Sequence, residues 1–453
     1  MKKLTQLLLP LCALPLFIVG CGGSSSEDIP ASITSLNVDG TPSLKDLYTY
    51  KNTSISNSAL NCSTLILSSD SCDVSDIKPI GANLSRDLTL ADIEERLVIS
   101  DAWMANSFIA ALEEIDDQDL LNLFKPINSI VLSSDIIPSF YSTKTASIYI
   151  DPRYLWRNSV EWNTIYEQED FRESYQTDFT FDSFWRYVDA STNLYITSSN
   201  SFSTNLTSRT TPQIAPGLFR LLAHELAHAN DYLPAELLSS LGSNGEIYGD
   251  YISSAKHIND DLSNTIPLTS ELLFEAAKIA YEGADMTSLI RNTSATEAGY
   301  AFEYDGAADL YAYSKPAEDV AMLFETFMMY KKYDVVRDVA FVEIPTTQYY
   351  SCDDYIVKWG QRNRLADGDV KERTILIANM ILGRDITSEL SSLSSEPIAF
   401  ETDIGWCASR NETLAVNSEA INYEPLSNGT ISLYSAKPKQ QVIHDYRDDR
   451  IRD

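Results

Sequence analysis

Apolar residues change their spacing several times along the chain, and each change predicts an element. From Leu88 to Phe124 the positions Ile93, Leu97, Trp103, Phe108, Leu112, Leu120 and Leu121 recur at helical spacing with charges between them. That stretch is expected to be helical. Ser129–Ser133 and Ala146–Ile150 are short apolar runs, the second closed by Asp151-Pro152, and both predict strands. Residues 157–212 are polar and aromatic with no clear period, so the pattern assigns no element there. Helical spacing dominates again from Pro216 to Tyr333. Asp369 to Leu382 predicts one further helix, closed by Gly383. The expected fold class is α+β, mostly helical, with a small sheet.

The N-terminus is patterned differently. Lys2 and Lys3 precede a nearly continuous apolar run from Leu7 to Val19, which is short for a bilayer span and placed as a signal sequence. Ile18-Val19-Gly20-Cys21, followed by Gly22, Gly23 and three serines, resembles the lipobox of bacterial lipoproteins. The resemblance implies cleavage before Cys21 and a lipid on Cys21 that anchors the chain to a membrane. Gly22, rather than an aspartate, implies the outer membrane of a bacterial cell envelope.

The expected organisation follows. Residues 1–20 form the signal and 21–45 the lipidated cysteine with a Ser/Gly/Pro-rich tether. Residues 46–130 form a loop-rich and helical region, 131–335 a central domain, and 336–453 a C-terminal region. Residues 437–453 are highly charged and are expected to fray.

Composition narrows the partners. Of 453 residues, 44% are hydrophobic and 22% charged, so the chain is an ordinary folded protein. Its 65 acidic against 34 basic residues give a net charge of -31, which repels phosphate backbones and excludes nucleic acid as an expected partner. Of six cysteines, Cys12 leaves with the signal and Cys21 carries lipid. The other four, in an oxidising compartment, predict two disulfides. The local pairing Cys62–Cys72 and Cys352–Cys407 is expected.

One motif carries chemistry. His224-Glu225-Leu226-Ala227-His228 is an HExxH sequence. On a helix, positions four apart share a face, so both imidazoles can meet one Zn2+ ion. Glu225 lies where it can take a proton from the water that zinc activates. Pro216 is expected in the first turn and Pro234 after the last. Leu218, Leu222, Leu226, Ala229 and Leu233 give the helix a buried face, opposite Leu221, His224, His228 and Asp231. The bland alternative is a pair of surface histidines. The chain has only four histidines, and half of them fall here, which favours a metal site.

Zinc needs a third protein ligand. His257 and His444 lie in polar sequence and are expected at the surface. A carboxylate is the natural ligand. Asp231 is expected to orient a ligand histidine rather than bind. Glu271 and Glu275, on an apparent helix over 270–281, and Glu318, at the start of an apolar-periodic helix, are the candidates.

The HExxH segment through Tyr232, taken with Tyr311-Ala312-Tyr313-Ser314-Lys315-Pro316-Ala317-Glu318-Asp319-Val320-Ala321, resembles the paired motifs of gluzincin-type zinc metallopeptidases. It is most similar to the branch that includes the anthrax lethal factor protease domain. The resemblance implies a zincin-like fold with zinc on His224, His228 and Glu318, and Glu225 as general base. It assigns Tyr311 to the developing oxyanion or the leaving amine. It covers about 120 residues. The stretch between His228 and Glu318 is longer than in thermolysin-like enzymes. Met322 stands where the family often has an acid; Glu325 either substitutes for it or simply faces solvent.

Family members commonly bind extended substrate along an edge strand, which assigns that role to Ser147–Ile150, with Tyr149 toward the cleft. An ordinary core strand is the alternative. The expected partner is a peptide or protein. The rival function is a non-catalytic surface binding or assembly lipoprotein that keeps the scaffold. Intact Glu225 favours the enzyme, because neither metal nor fold requires it.

Overall fold

The computed structural model describes residues 46–410 apart from 167–177, 190, 192–195, 197–205, 243–246, 348–349 and 394–395, together with 35–36 and 42–44. The signal, Cys21 and the charged tail expected at 437–453 lie outside the described residues.

Two sheets and a set of helices give an α+β fold. The first sheet contains β1 (Tyr48–Thr49), β2 (Leu97–Ile99), β3 (Ile130–Leu132), β4 (Phe140–Ser142) and β5 (Ser147–Ile150), in the order β1-β2-β3-β5-β4. The β2–β3 and β3–β5 pairs are parallel, and the outer pairs are antiparallel. Parallel neighbours need a crossover. Helices Ala102–Ile115 and Gln118–Leu123 supply it between β2 and β3.

Both faces of this sheet are covered. Leu97, Ile99, Ile130, Leu132, Ile148 and Ile150 enter the main core, while Val98, Val131 and Tyr149 enter a second cluster beneath helix Ser54–Thr64. Strands buried on both faces lose the polar alternation that marks a half-exposed strand. For that reason Leu97–Ile99 passes for part of a helical stretch in the sequence.

The edge assignment changes. β5, expected at the edge, lies inside the sheet between β3 and β4, and the edge strands are β1 and β4. Tyr149 does not face a cleft. It is fully buried, stacks on Phe140 at 4.5 Å and donates a hydrogen bond to the Ser63 carbonyl at 2.8 Å. Burial pushes its phenol well above the ordinary value.

The second sheet is antiparallel throughout: β6 (Phe181–Asp189), β7 (Val335–Glu343), β8 (Ile356–Arg362) and β9 (Ile398–Ala399), in the order β9-β8-β7-β6. β6 lies in the stretch to which the pattern assigned no element. Asp182 and Arg186 interrupt its apolar run, yet both are buried, Arg186 against Asp338 of β7 at 2.8 Å. A buried ion pair reads as surface in a sequence. Pairing of β2 with β3 and of β6 with β7 carries each sheet across the boundaries expected at 130/131 and 335/336.

The motif helix spans Thr211–Tyr232. Thr210 and Gln213 close its N-terminus in a reciprocal capping box. Pro212 takes the first turn, and Pro216, expected there, lies inside the helix. Residues Ile214 to Ala229 are all buried, so the helix is central rather than one-faced. It packs against helix Pro316–Tyr333 and against Ala102–Ile115. The C-terminal helix spans Gly368–Leu382 and ends on Gly383 at φ 65°, a left-handed position that glycine accepts without strain.

Both expected disulfides, Cys62–Cys72 and Cys352–Cys407, are present, with sequence separations of 10 and 55. Chain entropy alone makes them worth about 3 and about 4 kcal/mol. Replacing Cys352 and Cys407 with serine is therefore expected to lower the denaturant midpoint more than the same change at Cys62 and Cys72. Equal midpoints would place their contribution in local packing instead.

Candidate metal centre

The two motif histidines lie one turn apart on the motif helix, their ring centroids 4.9 Å apart. Their counterpart comes from helix Pro316–Tyr333, where Pro316 fixes the first turn and Glu318 occupies its third position. A carboxylate is favoured there by the helix dipole. Glu318 Oε2 lies 3.2 Å from His224 Nε2 and 3.3 Å from His228 Nε2. One atom from each of the three residues falls within 4.8 Å of the others. Among the described residues this is the one such cluster, so Glu271 and Glu275 do not join it. His257 caps helix Ile258–Thr265, with Nε2 2.8 Å from the Ile252 carbonyl.

Burial sharpens the electrostatics. His224 is 1% exposed and His228 8%. Burial opposes a charge on His224, but contacts with Glu318 and Glu325 outweigh it and hold the pKa well above the ordinary value. His228 is raised as well, against burial, by Glu318. Glu318 is held well below the usual carboxylate range: burial pushes it up, and the two imidazoles outweigh that. Glu225 is buried next to His224, and its charge acts on both rings.

A second carboxylate supports the first histidine. Glu325 lies two turns beyond Glu318 on the same helix, and its Oε2 is 3.4 Å from His224 Nδ1. It also accepts from Tyr187 Oη at 2.8 Å, Arg337 Nη1 at 2.8 Å and Arg220 Nη1 at 3.3 Å. Burial would raise its pKa, but Arg220, His224 and Arg337 hold it well below the ordinary range. Two turns of spacing from Glu318 were visible in the sequence. Arg220, Tyr187, Arg337 and Asp309 carried no signal, because they come from a helix, two strands and a loop that only the fold brings together.

Asp231 bonds to the next helix, and its charge also acts on His228. It is fully buried, and its two oxygens accept from Asn259 N at 2.8 Å and Asn259 Nδ2 at 2.7 Å. It therefore ties the end of the motif helix to the start of helix Ile258–Thr265. Burial lifts its carboxyl to about 6 against those two bonds. The carboxylate set against a histidine Nδ1 is Glu325.

Tyr311 sits on a short 3₁₀ turn, Leu310–Tyr313, just before the Glu318 helix. Its ring lies 6.2 Å from that of His224, 17° from parallel, and 4.8 Å from that of Tyr281. Asp309 Oδ1 caps the turn by accepting from Tyr311 N at 3.0 Å.

Two imidazole nitrogens and one carboxylate oxygen, converging on one point with a buried carboxylate behind one ring, fit the donor preferences of zinc. No family model, curated protein or solved structure matches this chain.

Proposed function

We propose that this chain is a zinc metallopeptidase of gluzincin type, a lipoprotein held at the bacterial cell envelope through Cys21. The observation that carries the reading is the convergence of His224 Nε2, His228 Nε2 and Glu318 Oε2 from positions 94 residues apart at the extremes. Bound there, zinc supplies Lewis-acid polarisation of a peptide carbonyl and acidifies a water. His224, His228 and Glu318 would hold the ion.

Glu225 would accept the water's proton at its carboxylate and return it to the departing amine. Tyr311, beside the His224 ring, would donate its phenolic hydrogen to the developing oxyanion. β4, at an edge of the first sheet among the described residues, is the strand to which an extended peptide would add. β4 lies against the motif helix, with Tyr141 stacked on Tyr232 at 6.2 Å. A lipid on Cys21 would supply the membrane attachment; among the described residues no helix is long and apolar enough to cross a membrane.

The test is elemental mass spectrometry on the chain from residue 22 onward, produced without lipid and reconstituted with zinc. One zinc per chain is expected, with hydrolysis of a mixed peptide library that stops on chelation and resumes when zinc is restored. A folded parent that retains no zinc overturns the enzyme and leaves a binding or assembly scaffold.

A further inference from the structure

Four buried charged groups stand behind the metal centre: Arg220, Asp309, Glu325 and Arg337, each 2% exposed or less. Arg337 lies on β7, just beyond the end of the Glu318 helix, and its guanidinium reaches the supports of two separate site residues. Nη1 donates to Glu325 Oε1 at 2.8 Å and to Tyr187 Oη at 3.2 Å. Nη2 donates to Asp309 Oδ2 at 2.6 Å. Beyond Glu325 stands His224 Nδ1, and beyond Asp309 stands the amide of Tyr311. The guanidinium also lies over the Trp185 ring, 4.4 Å from its centroid, which fixes its plane.

We propose that Arg337 is a positioning residue that sets two parts of the site at once: the His224 ring through Glu325, and the Tyr311 turn through Asp309. A buried ion pair is weak evidence of stabilisation, since desolvation offsets its attraction. Placement explains the group better, because both acids that Arg337 holds have their other oxygen on the site. Only a planar fork spans two carboxylates in this way, so lysine is not an equivalent. Arg220 adds a second cation on Glu325 Oε2 and donates to Tyr154 Oη at 2.8 Å, which anchors the carboxylate from the other side.

This inference rests on the proposed zinc site, and the experiment separates the two. Arg337→Met, Arg337→Lys, Glu325→Gln and Asp309→Asn are compared with the parent by three measurements. Zinc affinity is read by chelator competition, and hydrogen exchange is read on the peptide covering residues 309–314. The imidazole 15N signals are read in the metal-free protein, where four histidines keep the spectrum simple.

Glu325→Gln is expected to weaken zinc about 10–100-fold and shift the His224 signals, with exchange at 309–314 unchanged. Asp309→Asn is expected to speed exchange at 309–314, with zinc affinity and His224 signals near those of the parent. Arg337→Met should show both effects, and Arg337→Lys a partial form of both. If Arg337→Met does not fold, Arg337→Lys carries the comparison. A folded Arg337 variant with parental zinc affinity, His224 signals and 309–314 exchange overturns the proposal, as does faster exchange throughout the molecule with no site-specific change. A parent that binds no zinc but shows the same crossed pattern of signals and exchange supports the positioning role and removes the metallopeptidase reading alone.

Discussion

Glu225→Gln is expected to bind one zinc per chain as tightly as the parent and to hydrolyse peptide about a thousandfold more slowly, within the range that a positioned general base contributes. Glu225 follows His224 on the motif helix, is 2% exposed, and acts electrostatically on both imidazoles. It is not part of the three-residue cluster whose atoms converge, so removing its charge leaves the donor set intact. Glutamine keeps the shape and removes the basic oxygen. The swap leaves no cavity at this buried position, so the variant should fold, which circular dichroism checks. Zinc by elemental analysis and turnover on the same preparation decide the matter. Loss of zinc would make Glu225 a ligand or a structural support. Parental turnover would move the base elsewhere.

Features carried by a local pattern were the legible ones. The motif helix and the C-terminal helix follow from 3.6-residue spacing with caps at hand, and both disulfides join cysteines that are neighbours in sequence order. Glu318 was reachable because Pro316 and the apolar run after it mark a helix start.

Where burial removes the usual contrast, the local pattern misleads. Leu97–Ile99 is apolar on both faces and looks like its helical neighbours. In β6, Arg186 is neutralised by an acid on a strand about 150 residues away, and nothing local reports that. The same effect hid the groups behind the candidate metal centre. A buried Arg337 between Glu325 and Asp309 has the sequence signature of a surface charge. Strand order is a further step removed from sequence. A hairpin that folds β4 outward puts β5 inside, and only pairing decides between them.

His224→Ala and Glu318→Ala are each expected to take bound zinc from one per chain to none at micromolar protein. Loss of an outer-shell partner costs about 10–100-fold in affinity, and loss of one of three protein ligands costs more. The two variants fail for different reasons, which makes the pair informative. His224→Ala removes one imidazole but leaves Glu325 bonded to Tyr187, Arg337 and Arg220, so the surrounding charges stay compensated. Glu318→Ala keeps both imidazoles on their helix and deletes the carboxylate that faces both Nε2 atoms. Glu318→Gln should fall between, since an amide oxygen is a neutral and weaker donor. Glu271→Ala and Glu275→Ala, whose carboxylates lie outside the cluster, should keep zinc. Zinc retained in Glu318→Ala but lost in His224→Ala would preserve a metal site and assign its third ligand to another residue. Zinc retained in both would mean that the ion binds somewhere other than this cluster, and the peptidase reading would have no centre left to act from.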